Sequence, residues 1–92
     1  MNLQRDVWTY EYLLELYGDM YIKNKPYIDD IRAMIDDFSS EFIPLYTNKE
    51  VTHKSMNKSG IIDEIDFDTH GVYFYIIFSN DTVGIYTYKE LK

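Results

Sequence analysis

The chain has 92 residues, 46% hydrophobic and 27% charged, values of an ordinary folded protein that argue against disorder and against fibrous classes. Sixteen acidic against nine basic side chains leave a formal charge of −7, which disfavours direct binding of a phosphate backbone by the molecule as a whole. Cysteine is absent, so disulfides, thiolate catalysis and thiolate metal sites are excluded together, and a reducing, cytoplasmic setting fits. No apolar run approaches the roughly 20 residues of a membrane span, and the N-terminus lacks a basic-then-apolar leader.

Leu3, Val7, Tyr10, Leu14, Tyr17 and Tyr21 recur at steps of four and three, the spacing of one helical face, and predict a helix over 3–22. Leu13, Leu16 and Met20 widen that stripe, while Arg5, Asp6, Glu11, Glu15 and Asp19 fall on the side expected to face water. Gly18 costs about 1 kcal/mol in a helix interior relative to Ala, and so reads as a point of close packing or as an early end. After the polar break Lys23-Asn24-Lys25, Pro26 suits a first helical turn. Ile28, Ile31, Ile35, Phe38 and Phe42 then predict a second helix over 26–43, stopped by Pro44.

Residues 44–60 read as an exposed loop, almost free of apolar residues from Thr47 on, with Lys49, His53, Lys54 and Lys58 as the one basic stretch. It is a solvated connector or a contact loop. From Ile61 the period changes to two, and runs rich in β-branched and aromatic residues predict strands over 61–67, 72–78 and 83–88. The expected fold is α+β: two N-terminal helices packed on a three-stranded antiparallel meander, ααβββ, in two layers, with 1–92 as one domain.

Four-residue connections would set Phe67 opposite Val72 and Phe78 opposite Val83, and alternation would then sort every strand residue onto a face. Ile61, Ile65, Phe67, Val72, Phe74, Ile76, Phe78, Val83 and Ile85 make the core face. Glu64, Asp66, Tyr73, Tyr75, Tyr86 and Tyr88 make the other, with Ile62, Ile77 and Gly84 at one end. Tyr75 would oppose Tyr86, Tyr73 would oppose Tyr88, and each of Tyr73 and Tyr75 would have a carboxylate on its far side. A three-residue loop would swap one strand between faces.

Catalysis finds no foothold, since no nucleophile elbow, glycine-rich phosphate loop or His-Glu-x-x-His is present. The adjacent pairs Asp29-Asp30, Asp36-Asp37 and Asp63-Glu64 point to different sides of their elements and do not converge. Asp66-Phe67-Asp68-Thr69-His70-Gly71 matches a calcium loop at three positions, but the twelfth, which must be Glu, is Ile77. A hairpin turn reads better there, with Gly71 supplying positive φ. His53 and His70 stand at no ligand spacing and read as loop residues. No metal or cofactor is expected.

The acids form two patches: Asp29, Asp30, Asp36, Asp37 and Glu41 beside Arg32, and Asp63, Glu64, Asp66 and Asp68 with no base among them. Such patches attract basic surfaces over about a Debye length, roughly 8–10 Å in physiological salt. Tyrosine is enriched where proteins meet partners. In size, acidity and lack of catalytic motifs the chain is similar in general character to small inhibitors of phages and mobile elements, DNA mimics and anti-CRISPR proteins among them. That likeness is compositional and carries over no residue.

The expectation is a non-enzymatic binding protein that blocks a basic, nucleic-acid-handling protein, touching neither nucleic acid nor membrane directly. Its contact residues would be Glu64, Asp66, Tyr73, Tyr75, Tyr86 and Tyr88 on the sheet and Asp29, Asp30, Asp36 and Asp37 on the second helix. The alternative is a structural accessory protein that buries the tyrosine face against a copy of itself, as a homodimer.

Overall fold

The computed structural model describes residues 2–24, 26–68 and 71–92. Helix α1 spans Leu3–Ile22, as the spacing predicts. It starts where the Asn2 side chain accepts the Arg5 N–H at 3.1 Å, satisfying one of the donors a helix start leaves free. Gly18 fills neither predicted role: the helix runs through it, and a Cβ there would meet nothing within 4 Å.

Helix α2 spans Ile28–Tyr46, starting two residues later than predicted and continuing past Pro44. Tertiary packing outweighs the local preference. Phe42 and Tyr46, one turn apart on either side of Pro44, are both buried, and the Tyr46 hydroxyl donates to Asp6 at 2.6 Å. Pro44 and Ser40, whose carbonyl loses its helical donor to the proline, both lie on the exposed side, where water can serve that carbonyl.

Tyr10 is the hub of the helix layer. Its ring stacks on Phe38 and Phe42 and takes the edge of Phe67, and its hydroxyl shares a hydrogen bond with Ser39. Burial in α1 is confined to Val7, Tyr10 and Leu13. A 20-residue helix is about 30 Å long, so its last turns run past the sheet in a molecule of 48 × 21 × 20 Å. For that reason Tyr21, on the predicted packing stripe, is 69% exposed. No helix among the described residues is long and apolar enough to cross a membrane.

The class is α+β as expected, but the sheet has four antiparallel strands in the order β1-β2-β3-β4. They are β1 (Glu50–His53), β2 (Lys58–Asp68), β3 (Gly71–Phe78) and β4 (Val83–Tyr86). Strand β1 and the start of β2 lie in the predicted loop 44–60. Only Val51 and His53 of β1 point inward, and two positions, one of them histidine, are too few to announce a period. His53 is therefore a buried core residue and not a loop residue. Its Nδ1 accepts the Met56 N–H at 3.2 Å, and its ring meets the Tyr86 ring edge-on at 4.6 Å. His70 lies outside the described residues.

Two one-residue shifts alter the predicted faces. In β2 a bulge between Ile62 and Glu64 inserts Asp63, so Ile62 turns inward at 0% exposure and Ile61 turns outward at 40%. Beyond the bulge the expected pairs hold: Glu64 with Tyr75, Asp66 with Tyr73, Phe67 with Val72. After β3, the Phe78 N–H donates to Thr82 O and the Asp81 N–H to Phe78 O, with Asp81 at φ 62°. Only Ser79, Asn80 and Asp81 then form the turn, and Ile77, not Phe78, faces Val83. This is the three-residue loop that swaps a strand: Val83 and Ile85 face outward, Gly84 and Tyr86 inward.

The predicted last strand ends at Tyr86, and Tyr88–Glu90 form a single 3-10 turn in which the Thr87 N–H donates to Glu90. The chain then crosses to β1, where Leu91 bridges His53 and Thr52 exchanges hydrogen bonds with Lys92 at 3.0 and 2.9 Å. A flat sheet would hold β1 and β4 about 14 Å apart. The His53–Tyr86 contact across those two strands therefore requires strong curl. Gly60 on β2 lies tight against β3: a Cβ there would lie 2.6 Å from Ile76 Cγ2 and 2.8 Å from the Ile77 carbonyl, the close approach for which a strand glycine is kept.

Candidate partner-binding surface

The convex face of the sheet, turned away from the helices, sets exposed apolar side chains beside acidic ones. Its central strand β3 contributes Tyr73, Tyr75 and Ile77, all half-buried. One cross-strand row runs Ile61–Ile77–Val83 and the next Glu64–Tyr75–Ile85, with Asp66 opposite Tyr73. Ile61, Val83 and Ile85 are 40%, 60% and 56% exposed. Glu64 and Asp66 make no ion pair with any described cation, so their charge is available to an incoming group. The Asp66 carboxylate also accepts the Phe67 N–H at 2.8 Å, which fixes its orientation.

Of the residues expected to make contact, Glu64, Asp66, Tyr73 and Tyr75 are brought together. Tyr86 is not: it pairs with Phe74 on the inner face and packs on His53 and Phe78. Tyr88, in the 3-10 turn, is partly buried against the core. The predicted four-tyrosine ladder is thus two tyrosines beside an aliphatic patch. Asp29, Asp30, Asp36 and Asp37 are exposed on α2, in the layer behind the sheet, and form a separate surface. Asp29 and Asp30 occupy the first turn of α2, where the helix dipole favours negative charge.

Ile61, Val83 and Ile85, assigned to the core by the predicted register, belong instead to this surface. A second apolar patch lies on the solvent side of α1, where Trp8 and Tyr12, one turn apart, stack at 5.6 Å and are 59% and 51% exposed. Their i, i+4 spacing off the packing stripe was the sequence signal for it. Two tyrosine hydroxyls of the helix layer are shifted by their surroundings. Burial first, then hydrogen bonding to Asp6, pushes Tyr46 upward; burial does the same to Tyr10. Among the described residues no group of three or more His, Asp or Glu side chains is placed to hold a metal ion. No family model matches the chain, and no match is found among curated proteins or solved structures.

Proposed function

We propose that the chain is a non-enzymatic binding protein that docks the convex sheet face on a basic, nucleic-acid-handling protein and blocks it. The observation that supports this reading is the pairing of Glu64 with Tyr75 and Asp66 with Tyr73 on an uncovered face, beside Ile61, Ile77, Val83 and Ile85, in a chain of charge −7. An apolar centre with aromatic anchors and charged flanks is the anatomy of a protein interface. The carboxylates of α2, on the other layer, act at a distance, raising the rate of encounter with a basic surface.

The test is binding to the protein that the tagged chain captures from its host, read together with that protein's own binding to nucleic acid. Capture should displace nucleic acid, weaken steeply as salt rises, and fall at least tenfold in Tyr75→Ala with the fold intact by circular dichroism. Asp29→Asn with Asp30→Asn should slow association and leave dissociation unchanged. A salt-independent complex, or one indifferent to Tyr75→Ala, overturns the reading.

A further inference from the structure

The two edges of the sheet are finished differently. At β1 the edge is occupied by the chain's own C-terminal residues, through Thr52 with Lys92 and the Lys54 N–H on Glu90 O. At β4 the hydrogen-bond alternation of an antiparallel pair fixes which groups remain open. Because Phe78 donates to Thr82, the N–H and C=O of Thr82, Gly84 and Tyr86 turn toward β3, and those of Val83 and Ile85 point out of the sheet. Natural edges are commonly guarded by charge, proline or a bulge. Val83-Gly84-Ile85-Tyr86 has none of these, and its two outward side chains are exposed β-branched aliphatics.

We propose that this edge pairs with itself: a second copy adds its own β4 antiparallel, with the two-fold axis passing Gly84. In that register Val83 faces Ile85 of the second copy, and every outward N–H and C=O of both strands finds a partner. The apolar row Ile61–Ile77–Val83 continues into Ile85 and Tyr75 of the second copy, so the occupant matches the edge in side chains as well as in backbone. Glu64 ends up at the far side of its own half, roughly 24 Å from its counterpart, beyond the Debye length of about 8 Å in physiological salt. What opposes pairing is the general repulsion of two chains of −7, which salt screens. This inference does not depend on the proposed partner, and salt acts on it in the opposite sense.

Size-exclusion chromatography with light scattering, from about 0.01 M to about 1 M salt, takes the Debye length from about 30 Å to about 3 Å and should convert monomer to dimer. Hydrogen exchange should show the Val83 and Ile85 amides protected only in the dimer, and those of Gly84 and Tyr86 protected in both states. Ile85→Pro removes an outward N–H without touching the β3 ladder and should weaken the dimer at least tenfold, while Tyr75→Ala should keep it. If Ile85→Pro does not fold, Ile85→Lys charges the same edge and should have the same effect. A chain that stays monomeric at high concentration in about 1 M salt, a dimer whose Val83 and Ile85 amides exchange freely, or a folded edge variant that pairs like the parent overturns the proposal.

Discussion

Strand β3 presents two faces, both built of large aromatic and branched side chains, in opposite circumstances. Inward it carries Val72, Phe74, Ile76 and Phe78, each 9% exposed or less; outward it carries Tyr73, Tyr75 and Ile77. Of the inner set, Phe74 and Ile76 face Ile65 and Ile62 on β2 and the strand packs under α1, whereas of the outer set Tyr73 and Tyr75 face Asp66 and Glu64 and are covered by nothing described. Alternation separates two faces without saying which is buried. Here the neighbours across the strand decide it: carboxylates cannot be buried unpaired, so the side they share stays open.

The widest test of this contrast sets neighbours on β3 against each other. Phe74→Ala should cost about 3–5 kcal/mol, the cost of emptying a filled core site, while Tyr75→Ala should cost under about 1 kcal/mol, the worth of an exposed cross-strand contact. Urea midpoints measure both. Equal losses would mean that the outer face is covered. Two strand glycines come next. Gly60→Ala drives a methyl into the Ile77 carbonyl as well as Ile76 and should cost about 1–3 kcal/mol, releasing the ring-current shift that Tyr86 imposes on His53. At Gly84 the three atoms nearest the new methyl all belong to the Tyr86 side chain and none to backbone, so Gly84→Ala should cost less.

How legible each region was follows the number of residues that had to agree. Helix α1 is announced by six periodic positions and appears with the predicted bounds. The β2–β3 pairing near the turn holds from Glu64 with Tyr75 as far as Asp68 with Gly71, where Gly71 takes φ 141°. The two errors of face each hang on one residue. Asp63 as a bulge leaves no mark in composition. Asp81 takes the left-handed conformation that a three-residue turn needs, as Asn24, Asn48 and Asn57 do at other turns, and each of these side chains tolerates it. One such residue transferred Tyr86 from the candidate surface to the core and Val83 and Ile85 the other way.

The tyrosines extend the contrast to pH. Tyr46 is buried and donates to Asp6, so its folded pKa lies above the value of about 10 expected in the unfolded chain. Its neutral form is the one the fold favours. The resulting stability is present in full below pH 10 and is lost as pH rises beyond it, because the unfolded chain then releases a proton that the folded chain retains. Tyr46→Phe should cost about 1 kcal/mol at neutral pH and flatten the alkaline limb of the stability curve. Urea unfolding of parent and variant between pH 8 and about pH 11 checks this.

The smallest effect runs in the favourable direction and tests the helix layer. Gly18 lies inside α1 without positive φ, and nothing stands within 4 Å of where its Cβ would be. The glycine therefore supplies neither a strained backbone angle nor a close approach, unlike Gly71 and Gly60, and only its entropic cost in the unfolded chain remains. Gly18→Ala should raise stability by about 0.5–1 kcal/mol, a gain of a few degrees in melting temperature for a chain of this size. A loss instead would mean that something covers this side of α1 in solution. Trp8 and Tyr12 are exposed on the same helix, so their fluorescence in the variant would show whether that cover is a second chain.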